Sequence, residues 1–411
     1  MASQLRRLRT SVAPMIDVTD SYYLRLLRLI SPFGNHQLWT EMIHANTFSH
    51  GHMHLNKRKL VQHIPIRELQ DFSHGVVVQI GASQPEDAYI AVRELAKLGI
   101  RHINLNCGCP SRDVQMGSFG VVLMKTPETT AQIVQAMSLA AKEASGPPDS
   151  SSGAASRSIK ISVKCRIGVD EDESPEFLYR FIDTITDKSS PSDPVDIILH
   201  ARRAWLQGLS PEENRIVPQL NHTRVYEMTK AFPHLSFSIN GGIDSVDAVA
   251  KHLESSKIDS VMMGRKIRED PWFLSLLDQH IYGVAEGLVP SHMDVLARYM
   301  EFADEMHKEY ATRYSVLGRP LGAFFHGRKG RSMRAHLNHM FAQARIKSPG
   351  SSAKRGCVHR YSATFSELLQ EAMGRAEAEH NERVATAIAR AEASGKPDGS
   401  SAECKTVAVN A

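Results

Sequence analysis

Apolar and polar positions in this chain follow two periods that alternate along its length. Short runs rich in β-branched and aliphatic residues, at 12–17, 38–43, 76–82, 102–106, 159–166, 196–202, 235–240 and 260–265, are separated by segments of helical length. Two of those segments, 85–98 and 127–144, open on Pro85 and Pro127, and the fixed φ of proline suits a first helical position. Eight strand–helix repeats in one stretch predict a closed parallel (β/α)8 TIM barrel, an α/β fold. The strand pattern then stops. From 293 to 310 the residues Leu296, Tyr299, Met300, Ala303 and Met306 recur at helical spacing, and a smaller all-α helical domain is expected to follow.

The expected division is a barrel domain at 1–285, a helical domain at 290–375 and a polar, partly disordered tail at 376–411 whose first part is an exposed helix. Within the barrel, GPPDSSSGAASRS at 146–158 is too small and polar to bury, and a flexible surface insertion before the fifth strand is expected. A chain of 411 residues has room for one barrel and an appendage, and 42% hydrophobic with 23% charged residues is ordinary for a globular protein. No apolar run approaches bilayer-spanning length, so no membrane partner is expected. The five cysteines, an odd number in a long chain, argue for a reducing compartment. The cytoplasm is the expected location, with nucleus and organelle left open, and a monomer is the expected state. The basic, acid-free start MASQLRRLRTSVAPM looks like a targeting segment, yet the first strand begins near residue 12, leaving no room for a cleavable presequence.

Net charge, +4, says little, but its distribution says more. Between Tyr310 and Ser366 there is no Asp or Glu, while Arg313, Arg319, Arg328, Lys329, Arg331, Arg334, Arg345, Lys347, Lys354, Arg355 and Arg360 supply fixed positive charge. Such a block suits a polyanion, nucleic acid above all, or else it is a solvated basic surface. Arg328, Arg331 and Arg334 fall three apart, on one helical stripe.

Barrel enzymes build their sites from the C-terminal ends of the strands. Here those ends deliver Pro14, Met15, Ile16 and Asp17; Glu41 and Met42; Gln79; Asn106 and Cys109; Lys164, Cys165 and Arg166; His200 and Arg202; Asn240, Gly241 and Gly242; and Gly264 and Arg265. Cys109, thrown out of its strand by Gly108 and Pro110, is a positioned acid or nucleophile, or a small buried hydrophobe, which is the usual fate of a free thiol. Glycine turns at the seventh and eighth loops, with Arg265, suit a phosphate dianion. Lys164, His200 and Gln79 are placed to meet the polar edge of a flat cofactor. His50, His52 and His54, with His44, have metal-like spacing but no carboxylate or cysteine behind them, so no metal is expected.

The segments APMIDVTD, QIGAS, INLNCGCPS, VQMGSFGVVLM, SVKCRIGVD, LHARRAWLQGLSPEENR, SINGGI and VMMGRKIRED, in this order, resemble the tRNA-dihydrouridine synthases, and most the DusA branch. The resemblance covers essentially the whole barrel and is looser in the helical domain. It implies a flavin enzyme that reduces the C5–C6 double bond of a D-loop uridine of tRNA, in the 20/20a region, with FMN as cofactor and NADPH or NADH as reductant. It further implies that Pro14, Met15, Ile16, Gln79, Lys164, His200, Asn240, Gly241, Gly242, Gly264 and Arg265 hold FMN, that Cys109 is the proton donor, and that Asn106 meets the substrate uracil. Lys164 and Arg166 are expected to stabilise negative charge on the uracil carbonyl. Arg202, Asn214, Arg215, Arg331 and Arg334 are expected to meet tRNA. Three positions depart from the family pattern: Val18, the pair Arg112-Asp113, and Glu212. Two rival readings explain less: a small-molecule FMN reductase has no need of the acid-free block, and a non-catalytic tRNA-binding protein has no use for Cys109.

Overall fold

The structure, a computed structural model, describes residues 9–49, 57–65, 69, 75–145, 158–186, 195–255, 257–325, 327–346 and 360–393. Most of the 146–158 insertion, His50, His52 and His54, and the end of the tail lie outside the described residues. Chain contacts divide the molecule into Met1–Tyr299 and Met300–Ala411, a division that falls within the helix His292–Tyr310.

The first unit is a closed parallel barrel. Its strands are β1 (Thr10–Val12), β2 (His36–Trp39), β3 (Ile43–His44), β4 (Val76–Gly81), β5 (His102–Cys107), β6 (Lys160–Arg166), β7 (Asp196–His200), β8 (Phe237–Asn240) and β9 (Ser260–Met263). Each pairs in parallel with its neighbour, β9 returns to β1, and Trp39 on β2 pairs with Val77 on β4 to close the ring. The second predicted strand, 38–43, is divided into β2 and β3, both laid against β4. Its Glu41 N–H turns away to Thr19 O at 3.0 Å, which takes the chain off the ladder at that point. The first strand lies earlier than predicted. Ala13 N donates the last ladder bond, to Met263 O at 2.8 Å, and Pro14 has no N–H to continue it. Residues 14–17 therefore form the loop above β1, with Asp17 at a φ of 61°.

Helices cover the outside. Pro85–Lys97 and Pro127–Ser145 begin with their prolines as expected and bury Ala88, Ala91, Val92 and Leu95 on the one, Ile133, Val134 and Met137 on the other. Inside, Ala13, Trp39, Val77, Ile198 and Met262 form an apolar cluster. Alternate residues of each strand point inward, and the ladder register carries that parity from strand to strand: Asn106 opposite Lys164, Arg166 opposite His200, His200 opposite Asn240. All five therefore belong to the inner face at the C-terminal ends of their strands.

The second unit is helical apart from one two-residue antiparallel ladder, Arg345–Ile346 with Arg360–Tyr361, that the sequence pattern did not predict. Tyr314 stacks on Tyr361 at 3.8 Å between ring centres and meets Phe341 and Phe365 at 5.6 Å each. The long helix Phe365–Ala393 is opened by a capping box. Thr364 Oγ1 accepts the Glu367 N–H, Glu367 Oε2 accepts the Thr364 N–H, and Asp304 accepts from Phe365 N. No described helix is long and apolar enough to cross a membrane.

Candidate active site

A cavity of about 320 Å³ opens at the C-terminal ends of the barrel strands. Pro14, Met15, Ile16, Gln79, Asn106, Cys109, Lys164, Arg166, His200, Arg215, Asn240, Gly241, Gly242, Gly264 and Arg265 all line it, so residues spread over some 250 positions of sequence meet around one space.

The turn that carries Cys109 is held from two sides. Asn106 Oδ1 accepts both the Gly108 and the Cys109 N–H at 3.0 Å, and Arg166 Nε donates to Gly108 O at 3.0 Å. Val121 N donates to Cys109 O at 3.0 Å, and that approach requires glycine at 120. Its φ is +74°, and a Cβ there would lie 2.7 Å from the same carbonyl oxygen. Cys109 is half-buried, and its Sγ donates to Ser111 Oγ at 3.6 Å. The two other described cysteines differ in kind. Cys107 and Cys165 are register partners on the outer face of β5 and β6, both fully buried. Burial pushes the Cys107 thiol well up, with Cys165 beside it adding to the effect, and burial pushes Cys165 up to about 12. Those two are inert core residues, and Cys109 alone of the three faces the cavity.

Charge in the cavity is one-sided. Lys164, Arg166, Arg215, Arg265, Lys266 and Arg268 line it against Asp244 and Glu269. Burial, then Arg166, brings Lys164 down to about 8. Burial, then Arg166 and Lys164, holds His200 well below the ordinary imidazole range, so this ring is neutral at physiological pH. Burial also works against the charge on Arg215, while Cys109 acts the other way. Lys266 pairs with Asp270 at 3.0 Å and Arg268 with Glu269 at 3.7 Å, and the excess of positive charge that remains around Lys164, Arg166, Arg215 and Arg265 favours an anion.

The glycine turns have the shape for one. Gly241 and Gly242 both have positive φ, 115° and 69°, and a Cβ at Gly241 would come within 2.8 Å of His200 Cδ2. At Gly264 a Cβ would lie 3.3 Å from Ala13 Cβ. His222 donates Nε2–H to Gly241 O at 2.8 Å and so braces the first turn from behind. Bare backbone at two loops with Arg265 beside them suits a phosphate, and Pro14 to Ile16 line the same cavity.

Some expected residues have other duties. Arg166 Nη1 donates to Arg203 O at 2.9 Å and to Asn214 O at 2.8 Å, so this guanidinium, 3% exposed, ties the Cys109 turn to the loop after β7. Asn214, expected in a loop that meets tRNA, is wholly buried: it accepts from Trp205 N at 2.7 Å and donates to Trp205 O at 3.0 Å, so its side chain braces that loop from within. Arg202 lies outside the cavity lining, and its Nη1 holds Ile216 O and Pro218 O. In the second unit Arg331 is exposed, whereas Arg334 is half-buried and donates Nη1 to Gly322 O at 3.1 Å and Phe325 O at 2.8 Å.

Three supports have roles that the sequence analysis did not assign. Glu41, 6% exposed, accepts from Asp17 N at 2.9 Å and pairs with His63 Nδ1 at 2.7 Å, which holds the Pro14–Asp17 loop in its left-handed turn. Asp170 accepts from Leu206 N at 2.8 Å and pairs with Lys125 at 2.6 Å. His222 is the third. Each has its partners remote in sequence, so no local pattern marks its role.

A closed parallel barrel with a half-buried thiol, cations and glycine turns gathered at the C-terminal mouth is the arrangement in which barrel enzymes place their active sites. Comparison with known proteins makes the class specific. The profile of the family Dihydrouridine synthase (Dus) matches residues 11–353. The tRNA-dihydrouridine(20/20a) synthase of Shewanella oneidensis is 35% identical over 332 residues, 80% of this chain and 87% of that protein. Proteins of the same name from Synechocystis and Escherichia coli K12 are 35% and 39% identical, over 77% and 68% of this chain and 84% and 71% of theirs. The chain belongs to the dihydrouridine synthase family and is an oxidoreductase.

The Arg166 geometry predicts a structural cost. Arg166→Ala loses three bonds from a buried cation to backbone carbonyls and is expected to lower stability by about 3 kcal/mol, read by urea unfolding. Arg265→Ala, at a half-buried position, is expected to change it by less than about 1 kcal/mol.

Proposed function

We propose that this protein reduces the C5–C6 double bond of a D-loop uridine of tRNA, in the 20/20a region, with FMN in the barrel mouth and NADPH or NADH as reductant. The observation that carries the proposal is the meeting, in one cavity of a dihydrouridine synthase, of Cys109 and Asn106 with Lys164, His200 and the two glycine turns.

FMN fits the residues present: Gly241, Gly242, Gly264 and Arg265 would hold its phosphate, and Gln79, Lys164, His200, Asn240 and the loop Pro14–Ile16 its ring. When bound and reduced by the nicotinamide nucleotide, FMN supplies the hydride that goes to C6 of the uracil. The remaining work falls to the chain. Cys109 gives its thiol proton to C5, and its turn is fixed before substrate arrives by the Asn106 and Arg166 contacts. Asn106 has used its oxygen on that turn and one amide hydrogen on Gln79, which leaves one N–H for a uracil carbonyl. Lys164 stabilises the negative charge that builds on the uracil before the proton arrives, and Arg166 contributes through the turn it anchors. The uridine leaves its stack to reach this depth, and Arg215 at the cavity wall meets the phosphates beside it. Exposed Arg331 on the second unit gives a further phosphate contact, and half-buried Arg334 ties the helix that carries it to the preceding segment at Gly322 and Phe325.

Three results test this reading. Cys109→Ala is expected to bind FMN and tRNA as the wild type does and still to oxidise NADPH, yet to form dihydrouridine at least about 100-fold more slowly, the usual scale of a lost general acid. Nucleoside mass spectrometry of the tRNA reads the product, and wild-type turnover in that variant would sink the assignment. FMN affinity carries a pH signature. The charged form of Lys164 favours an anion, so affinity is full below about 8 and falls as the lysine loses its proton above it. Fluorescence titration between about pH 7 and 9.5 should show roughly a tenfold loss, absent in Lys164→Met. For tRNA, Arg331→Glu is expected to lower the log–log salt slope of binding by about 0.7 to 0.9 without a change in melting temperature. An unchanged slope would mark that side chain as solvated surface.

A further inference from the structure

The barrel interior below the cavity is unusually polar. Parallel barrels are generally filled with branched aliphatic side chains, yet here Gln79, Asn104 and Ser162 are register partners on β4, β5 and β6, all three 0–1% exposed, with His102 one inward position below. They form one continuous hydrogen-bonded chain. Trp39 Nε1 meets Gln37 Oε1 at 3.1 Å, Gln37 Nε2 meets His102 Nδ1 at 3.0 Å, and His102 Nε2 meets Ser162 Oγ at 2.8 Å. From the other end, Cys109 N and Gly108 N meet Asn106 Oδ1, Asn106 Nδ2 meets Gln79 Oε1 at 2.8 Å, Gln79 Nε2 meets Asn104 Oδ1 at 2.8 Å, and Asn104 Nδ2 meets Ser162 Oγ at 3.0 Å.

Both ends of this chain can only donate: an indole N–H at the bottom, two backbone N–H groups at the top. Donation at the ends decides every link between. From the bottom, Gln37 must accept from Trp39 and donate to His102, whose Nδ1 accepts and whose Nε2 carries the proton. From the top, Asn106 must accept from the Cys109 turn and donate to Gln79, Gln79 to Asn104, and Asn104 to Ser162. The two series run toward each other and end on one atom, Ser162 Oγ, which accepts from both with its two lone pairs.

We propose that Ser162 and Asn104, which line no part of the cavity, are positioning residues that brace the amides of Gln79 and Asn106 from below in the one orientation that serves the Cys109 turn. The value of this for catalysis rests on the function proposed above. Without an acceptor at Ser162, the Asn104 Nδ2–H and the His102 Nε2–H are left unpaired in the core, and the amide series that ends on the Cys109 and Gly108 N–H groups loses its fixed lower end. The present orientation also leaves Gln79 and Asn106 each with a spare N–H at the cavity wall, so that wall offers donors suited to carbonyl oxygens. Burial first, and Lys160 second, brings His102 down to about 3, in keeping with the neutral ring the chain requires.

The test uses the full-length protein without added flavin. Nitrogen-15 NMR of the wild type is expected to show His102 protonated on Nε2, and protonation on Nδ1 would overturn the relay. Alkylation by iodoacetamide, followed at Cys109 by peptide mass spectrometry, is expected to change by about tenfold in Ser162→Ala, the scale of one lost hydrogen bond. It should return near the wild-type rate in Ser162→Thr, which keeps the hydroxyl. Cys107 and Cys165 serve as internal gauges and should stay unreactive. A wild-type Cys109 rate in Ser162→Ala, with those two still protected, would also overturn the proposal. If all three react together the variant has lost its fold, and the wild-type tautomer then decides. Failure of the wild type to bind FMN in a separate titration would instead sink the flavin reading, and both of these readouts would stand.

Discussion

A guanidinium taken out of water has to find acceptors, and Arg166 finds them in three backbone carbonyls, those of Gly108, Arg203 and Asn214. They belong to two different loops. One carries Cys109 and follows β5; the other follows β7 and carries Arg215. A single side chain at the end of β6 therefore sets the distance between the reactive thiol and the cation beside it. Asn214 completes the link by fastening Trp205 N–H and C=O to its own amide, so that the loop presents Arg215 to the cavity from a rigid base.

Around that anchor, the inward parity of a parallel barrel does the sorting. Residues that alternate along β5 and β6 divide into two sets: Asn106 and Lys164 inward to the cavity, Cys107 and Cys165 outward beneath the helices. The same thiol chemistry becomes inert on one face and accessible two residues later, where the strand has ended. Burial then acts on the inward set. It neutralises His200 and lowers Lys164, Arg166 and Arg215, and the mouth is left with a positive field that favours phosphate and a developing anion alike.

The second unit solves a different problem, holding a long acid-free stretch together against its own repulsion. Its core is aromatic, built on Tyr314, Phe341, Tyr361 and Phe365, and its acids come from outside the stretch. Asp304 caps the last helix, and Glu379 on that helix accepts from Ser332 at 2.5 Å and pairs with His336 at 2.8 Å. Ser332 and His336 bracket Arg334 on the basic helix Gly327–Ala344, so the carboxylate fixes one flank of that helix while Arg331 stays exposed.

Local pattern carried much of this. The two hydrophobic periods reveal an eight-fold strand–helix repeat, and a closed parallel barrel follows because that repeat has few other ways to bury both faces of its strands. Barrel geometry in turn names the strand ends as the site, which is why Gln79, Asn106, Cys109, Lys164, His200 and the glycine turns were all legible before any coordinates. All of them line one cavity. Where the ladder stops was not legible. β1 ends at Val12 because its last bond is taken by Ala13, and the strand predicted at 38–43 divides because Glu41 N–H goes to Thr19 O. The division of labour among polar residues was equally hidden. In their motifs Asn214 looks like a tRNA contact and Arg166 like a substrate contact, but their partners lie in loops that only closure of the barrel brings near, and a buried amide or guanidinium is satisfied by whatever carbonyl tertiary packing delivers. Residue type and strand parity determine which groups reach the mouth; hydrogen-bond partners distant in sequence decide which of them face a ligand and which hold the others still.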